Sequence, residues 1–384
     1  MDATIGDLVT RAVDRVLGQA IETRQLVGAV AMVSQAGRLA HHGAYGWADR
    51  EARIPAKLDT IFRWASLTKP VTAVLTLALA ERGVLSLQDP VTRFLPEFRP
   101  RLADGREPVI TLRHLVTHTA GLTYGLFEPG SEGPYHAARV SDGMDQPGLA
   151  IEENLRRIAT VPLAREPGSG WGYSIAADVL GAALERARGK PLPELVREHV
   201  TEPLGMADSG FVVRERARLA AAYSDGAPEP VRMGARHLTP FNGCELSFAP
   251  DRMFAADSYP SGGGGMSGTA GDFMRLLEAL RGGGAPVLGR AAVEQLASVK
   301  PGDFEVLLPG WKWPLGWSVL VDPAKTQTPQ RPGSWTWGGV YGASWFVDPS
   351  LDLSVVLLTN TATAGMLGPV PDALRDAVYG ALGA

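Results

Sequence analysis

The sequence predicts a two-lobed α+β protein, an antiparallel sheet flanked by helices with a mainly helical lobe inserted in its middle. Three observations predict it. Strand patterns lie near both ends of the chain, helical patterns dominate the middle, and 384 residues with 45% hydrophobic and 20% charged side chains suffice for a sizeable core. Strands from both ends close the chain on one sheet, so the expected division is residues 1–65 with 270–384 as the sheet domain and 66–269 as the helical insertion. A cleft between such lobes is the natural place for a substrate.

The elements follow in order. Leu8, Val9, Val13, Val16 and Leu17 fall in an amphipathic first helix. Residues 26–34 and 38–46 flank Gln35-Ala36-Gly37 as a hairpin. Helical patterns occupy 67–82, 112–118, 146–158, 174–188 and 191–200, punctuated at Pro167-Gly168-Ser169-Gly170 and Pro203-Leu204-Gly205. Thr269 caps a helix over 273–280, with Asp272 three residues on. Strand patterns return at 316–321, 334–347 and 351–358, before a last helix near 373–379.

Composition excludes several functions. The 37 basic and 41 acidic residues give a net charge of -4, with no basic tail, so nucleic acid and membrane surfaces are not expected partners. No charge-free apolar run reaches the length of a membrane span, and the acidic start from Met1 and Asp2 does not resemble a secretion signal. With a single cysteine, Cys244, there is no disulfide framework or multi-cysteine metal site, and a cytoplasmic setting is the simplest expectation. His114 and His118 form an i,i+4 pair, but no Glu follows the first as in zincins, so packing or hydrogen bonding is favoured over metal; His41-His42 sits on an edge strand. No cofactor is implied, and the oligomeric state is not legible.

Chemistry concentrates at Ser66-Leu67-Thr68-Lys69. Residues three apart share a helix face, so Lys69 lies where it can take the Ser66 proton, provided burial disfavours its ammonium form. A solvated Ser and Lys at the start of an ordinary helix gives the same four letters. The context favours chemistry: Phe62-Arg63-Trp64-Ala65 leads in, Pro70 suits an early helical position, and residues 71–80 are apolar nearly all round.

Two further segments carry candidates. Tyr173 stands at a glycine-rich turn just before a helix, where its phenol can reach the cleft and share a proton with Lys69, or simply pack. Trp335-Thr336-Trp337-Gly338-Gly339-Val340-Tyr341-Gly342 interrupts a strand-like run with glycines, as expected where backbone approaches a substrate carbonyl closely. Amides at the nucleophile and on this strand suit an oxyanion hole, while Trp335 and Trp337 fit sheet packing equally well.

Three separated segments together resemble one family. The chain is similar to the serine beta-lactamase-like superfamily, specifically the class C and family VIII carboxylesterase branch, on Ser66-Leu67-Thr68-Lys69, on residues 112–122 and on Pro203-Leu204-Gly205-Met206. The resemblance covers about residues 20–380 and implies a beta-lactamase/transpeptidase-like fold. It departs from class C lactamases at Tyr173-Ser174-Ile175, where they carry Tyr-x-Asn, and at Trp337-Gly338-Gly339, where they carry Lys-Thr-Gly. An amide and an ammonium that would hold a lactam are thus replaced, and the Trp-Gly-Gly of the branch's esterases stands in their place. Residue by residue, the resemblance implies catalytic Ser66, Lys69 and Tyr173, an oxyanion hole from the Ser66 and Val340 amides, and substrate contacts at Trp337, Gly338 and Gly339.

The reaction expected is hydrolysis of a short-chain or aromatic carboxylic ester, a small-molecule substrate, through a Ser66 acyl-enzyme. Gly-x-Ser-x-Gly is absent, so an α/β-hydrolase elbow is not supported. The alternatives are an acyltransferase with the same residues, a beta-lactamase or D-amino peptidase, and a catalytically silent binding protein. Trp311, Trp313, Trp317, Trp335, Trp337, Trp345 and Phe346 supply aromatic surface for a pocket or for core. Residues 251–254 and 261–267 are candidates for the cleft border, the latter as a mobile rim or a tight backbone crossing.

Overall fold

A computed structural model describes residues 3–129, 132–241, 243–300 and 304–384, so Met1 and Asp2 of the acidic start lie outside the described residues. The helices used below are α1 Ala3–Glu22, α2 Thr68–Glu81, α3 Leu112–Val116, α4 Ala176–Arg188, α5 Ala270–Arg281 and α6 Pro369–Leu382. The main sheet contains β1 Gly28–Gln35, β2 Arg38–Asp49, β3 Ile54–Pro55, β4 Trp311–Lys312, β5 Ser318–Leu320, β6 Trp335–Gly339, β7 Ala343–Asp348 and β8 Leu353–Thr359. Its spatial order is β4-β5-β6-β7-β8-β1-β2-β3, with every neighbouring pair antiparallel. Strands from the two ends meet where β1 lies beside β8, with Val30 opposite Leu358 and Met32 opposite Val356.

Alternation along these strands divides the core into two layers. Ala29, Ala31 and Val33 of β1 and Leu353, Val355 and Leu357 of β8 pack with Val9, Val13 and Leu17 of α1 and Leu374 and Val378 of α6. The opposite face presents Val30, Trp345, Val347, Val356 and Leu358 to α2, α5 and the helical middle. α2 is buried around almost its whole circumference, as a sequence apolar nearly all round requires. The short strands Phe62–Arg63 and Ser267–Gly268 pair antiparallel at the two passages into and out of the middle segment.

Several boundaries differ from the sequence expectation for local reasons. The run 334–347 is a hairpin rather than one strand: Gly342 N–H bonds Gly339 O at 2.9 Å, and Val340 and Tyr341 form the turn. The helix expected at 146–158 is Ile151–Thr160, because Gln146 takes a left-handed φ of 47°. The segment 112–118 ends as helix at Val116, with His118 at φ 55°. Thr269 does cap its helix, accepting Asp272 N–H at 3.2 Å.

Candidate active site

The nucleophile turn is held by two backbone bonds and one side-chain bond. Trp64 N–H bonds Met266 O at 3.0 Å, Leu67 N–H bonds Trp64 O at 3.1 Å, and Thr68 Oγ1 accepts Met266 N–H at 3.1 Å. Ala65 is left-handed at φ 46°, a strained conformation for a residue with a Cβ, kept by these bonds and by complete burial. A single 3₁₀ turn, Ala65–Leu67, then delivers Ser66 to the start of α2. Lys69, only 3% exposed, donates to Ser66 Oγ at 3.1 Å and to Gly263 O at 2.8 Å. Nucleophile and candidate base are therefore in direct proton-transfer contact.

Tyr173 enters from the loop before α4, fixed by Gly172 N–H to His118 O (2.9 Å) and Ile175 N–H to Thr123 O (3.2 Å). Its ring lies under the Lys69 ammonium, 4.6 Å from Nζ to the centroid, and Tyr124 presents a second ring at 5.3 Å. The Tyr173 hydroxyl accepts the Trp337 indole N–H at 3.1 Å. The expected Lys69 and Tyr173 pair is thus brought together through the ring face, and the hydroxyl is oriented by Trp337.

β6 supplies the third wall. A Cβ built on Gly339 would stand 2.1 Å from Trp64 O, so only glycine lets this strand touch the nucleophile turn. The next amide, that of Val340, has no hydrogen-bond acceptor among the described residues. Gly338 lies on β6 opposite Ser344.

Sequence reasoning missed most of the aromatic surround. The Tyr173 ring is met by His118 (4.9 Å), Tyr124 (5.5 Å), Phe127 (6.3 Å), Trp171 (6.2 Å), Trp313 (6.1 Å) and Trp337 (5.1 Å). Burial, and then the Lys69 charge, hold His118 well below its ordinary pKa, so it is a neutral ring hydrogen-bonded to Ser174 Oγ at 3.2 Å. Burial first, then Tyr173 and Asp178, push the Tyr124 phenol well up, keeping it protonated. These rings come from four segments up to about two hundred residues apart, and no local pattern marks them as neighbours.

Most of the other candidates lie elsewhere. His114 Nδ1 accepts Thr111 N–H at 3.3 Å in a helix cap, and His41 contacts Thr10 and Tyr45 on β2. Trp335 and Trp345 pack on Trp317 in the core, one tilted and one edge-on, Trp311 is buried on β4, and Phe346 packs on Tyr379 at 6.0 Å. The glycine run is a tight crossing: Gly262 O accepts Thr72 Oγ1–H at 2.7 Å, and Gly263 O accepts Lys69. Met253 and Arg252 line a separate cavity of about 250 Å³ with Gly264, Gly265, Met266 and Tyr341. Ile175, in place of the lactamase amide, is fully buried. Among the described residues no group of three His, Cys, Asp or Glu could hold a metal, and no helix is long and apolar enough to cross a membrane.

The beta-lactamase family model matches residues 13–379. The chain belongs to the beta-lactamase family. Within it, the chain is 52% identical over 372 residues to esterase EstB of Burkholderia gladioli, covering 95% of this chain and 94% of EstB. Its structure resembles that of EstCE1, described as a hydrolase with promiscuous acyltransferase activity, at TM-score 0.94 and 42% identity, over 97% of this chain and 99% of that one. A class C beta-lactamase from Rhodobacter sphaeroides shares the fold, with TM-score 0.70 and 20% identity over 98% of this chain and all (100%) of the other.

Proposed function

We propose that this protein is a serine carboxylesterase that hydrolyses short-chain or aromatic carboxylic esters through an acyl-enzyme on Ser66. The observation that carries the proposal is the contact of the buried Lys69 with Ser66 Oγ at 3.1 Å, over the Tyr173 ring and beside the end of β6, where Gly339 packs against the nucleophile turn. Ser66 Oγ attacks the ester carbonyl as its proton passes to Lys69. The Ser66 and Val340 amides receive the developing oxyanion, a contribution that is typically the largest single one in acyl transfer. Tyr173, with its oxygen oriented by Trp337, protonates the departing alcohol. Water, deprotonated by the same pair, then attacks the acyl carbon and releases the acid and Ser66.

The aromatic wall of Phe127, Trp171, Trp313 and Trp337 supports a preference for compact acyl or aromatic groups, and the kinship with EstB and EstCE1 supports ester chemistry. Transfer of the acyl group to an alcohol other than water is a second reading, favoured by the acyltransferase activity described for EstCE1. Trp337 and the buried Ile175 stand against lactam hydrolysis. A family VIII placement within the branch and a cytoplasmic setting complete the proposal, the latter resting on the lone Cys244. Rapid-quench mass spectrometry with p-nitrophenyl butyrate tests it: one butyryl group on the peptide containing Ser66 is expected, and acylation mapping to another residue refutes the assignment.

A further inference from the structure

Behind Lys69 lies a buried acid that the mechanism above does not use. Asp178, 2% exposed in the first turn of α4, accepts three hydrogen bonds: Ser261 Oγ–H at 2.8 Å and Gly263 N–H at 2.6 Å on Oδ1, and Tyr259 Oη–H at 2.8 Å on Oδ2. The carbonyl of the same Gly263 accepts Lys69 at 2.8 Å. One glycine thus turns its N–H to a carboxylate and its C=O to an ammonium. A Cβ on it would lie 2.9 Å from Asp178 Oδ1, 3.0 Å from Tyr124 Oη and 3.4 Å from Lys69 Nζ, so the two ionic groups flank the space that a side chain would need.

On the ester-hydrolase reading of this site, we propose that Asp178 is a positioning residue for Lys69. Through Gly263, whose N–H it holds and whose C=O accepts Lys69, it fixes the Lys69 amine against Ser66. The contacts of Lys69 support this. Ser66 comes from the 3₁₀ turn that leads into α2, Tyr124 and Tyr173 offer ring faces, His118 is neutral, and the bonds of Lys69 go to Ser66 and Gly263. Among the described residues no carboxylate pairs with Lys69 directly. Asp178 is the acid felt across Gly263: burial holds its carboxyl above the ordinary carboxylate range, and the three donors and Lys69 offset this only in part. An amide only donates, so Gly263 N–H at 2.6 Å requires Oδ1 to be an acceptor. The other acid nearby, Asp142, is turned to the Gly125 and Leu126 amides, each at 2.9 Å.

The test separates geometry from charge. Asp178→Asn is isosteric and keeps acceptors for Ser261 and Gly263, whereas Asp178→Ala removes the anchor. Asp178→Ala is expected to lower kcat by about 10²-fold with KM little changed, the scale of a base displaced by about 1 Å. Asp178→Asn is expected to lower kcat about tenfold and to move the acidic limb of the kcat/KM profile to lower pH, because the site loses a buried acid. A purely structural residue would lower thermal stability without moving that limb. A kcat and pH profile of Asp178→Asn that superimpose on the wild type overturn the proposal. Phosphonate labelling of wild-type Ser66, read by peptide mass, reports separately on the esterase reading. Amide exchange of residues 261–266 tests the anchor without turnover: faster exchange in Asp178→Ala supports it, and unchanged exchange contradicts it.

Discussion

Replacing Gly339 by alanine probes the contact that joins the sheet to the nucleophile. The new Cβ would sit 2.1 Å from Trp64 O, where ordinary contact begins at 3.4 Å. The strand must therefore withdraw by roughly 1.3 Å or twist, because Trp64 is fully buried and its N–H is tied to Met266. β6 is itself paired along its length to β7, from Trp335 opposite Val347 to Gly339 opposite Ala343. Val340 follows directly, so its amide moves by a comparable distance, out of the range in which it bonds an oxyanion. Loss of one such donor costs about 10²–10³ in kcat, or roughly 3–4 kcal/mol of barrier. Steady-state hydrolysis of p-nitrophenyl butyrate by Gly339→Ala, alongside thermal melting, measures it. Retention of kcat within about threefold of wild type in a folded variant would refute the oxyanion assignment of Val340.

Three further predictions follow from the site and the buried acids. Tyr173→Phe keeps the ring under Lys69 and removes the proton donor, so ester turnover should fall by about 10²-fold or more with little change in melting temperature. Trp337→Phe loses the indole N–H that holds the Tyr173 oxygen, and kcat/KM for p-nitrophenyl butyrate should drop roughly tenfold, the scale of one hydrogen bond. Burial, and then Asp145, push the Asp142 carboxyl up to about 8 from the usual 3.8, although two amides pull it down. The folded protein therefore holds that proton where the unfolded chain has lost it. The resulting stability is full below about pH 4 and lost as pH rises through about 8, so the melting temperature should decline over that window and Asp142→Asn should flatten the decline.

What was legible in the sequence follows the range of the interactions. Ser66 and Lys69 lie one helical turn apart, so spacing alone brings them together, and the apolar run after them announces burial. The pairing of β1 with β8 was legible as fold class because both are short runs of strand formers at opposite ends of the chain, although their register was not. The turn at Val340–Gly342 was hidden because its flanks are strand formers and the glycines read as a weakened strand. His118, Tyr124, Phe127, Trp171 and Trp313 meet Tyr173 only through the tertiary fold. Asp178 is a single acid on a mostly apolar helix face, and it acquires its partners from residues 81 to 85 positions away.

The central claim is that Ser66 is the nucleophile of an esterase, and hydrolysis of p-nitrophenyl acetate and butyrate compared with nitrocefin, by wild type and Ser66→Ala, tests it most directly. The account predicts ester turnover far above nitrocefin turnover, abolished in Ser66→Ala; wild-type-like ester turnover in that variant, or dominant nitrocefin turnover in the wild type, would contradict it.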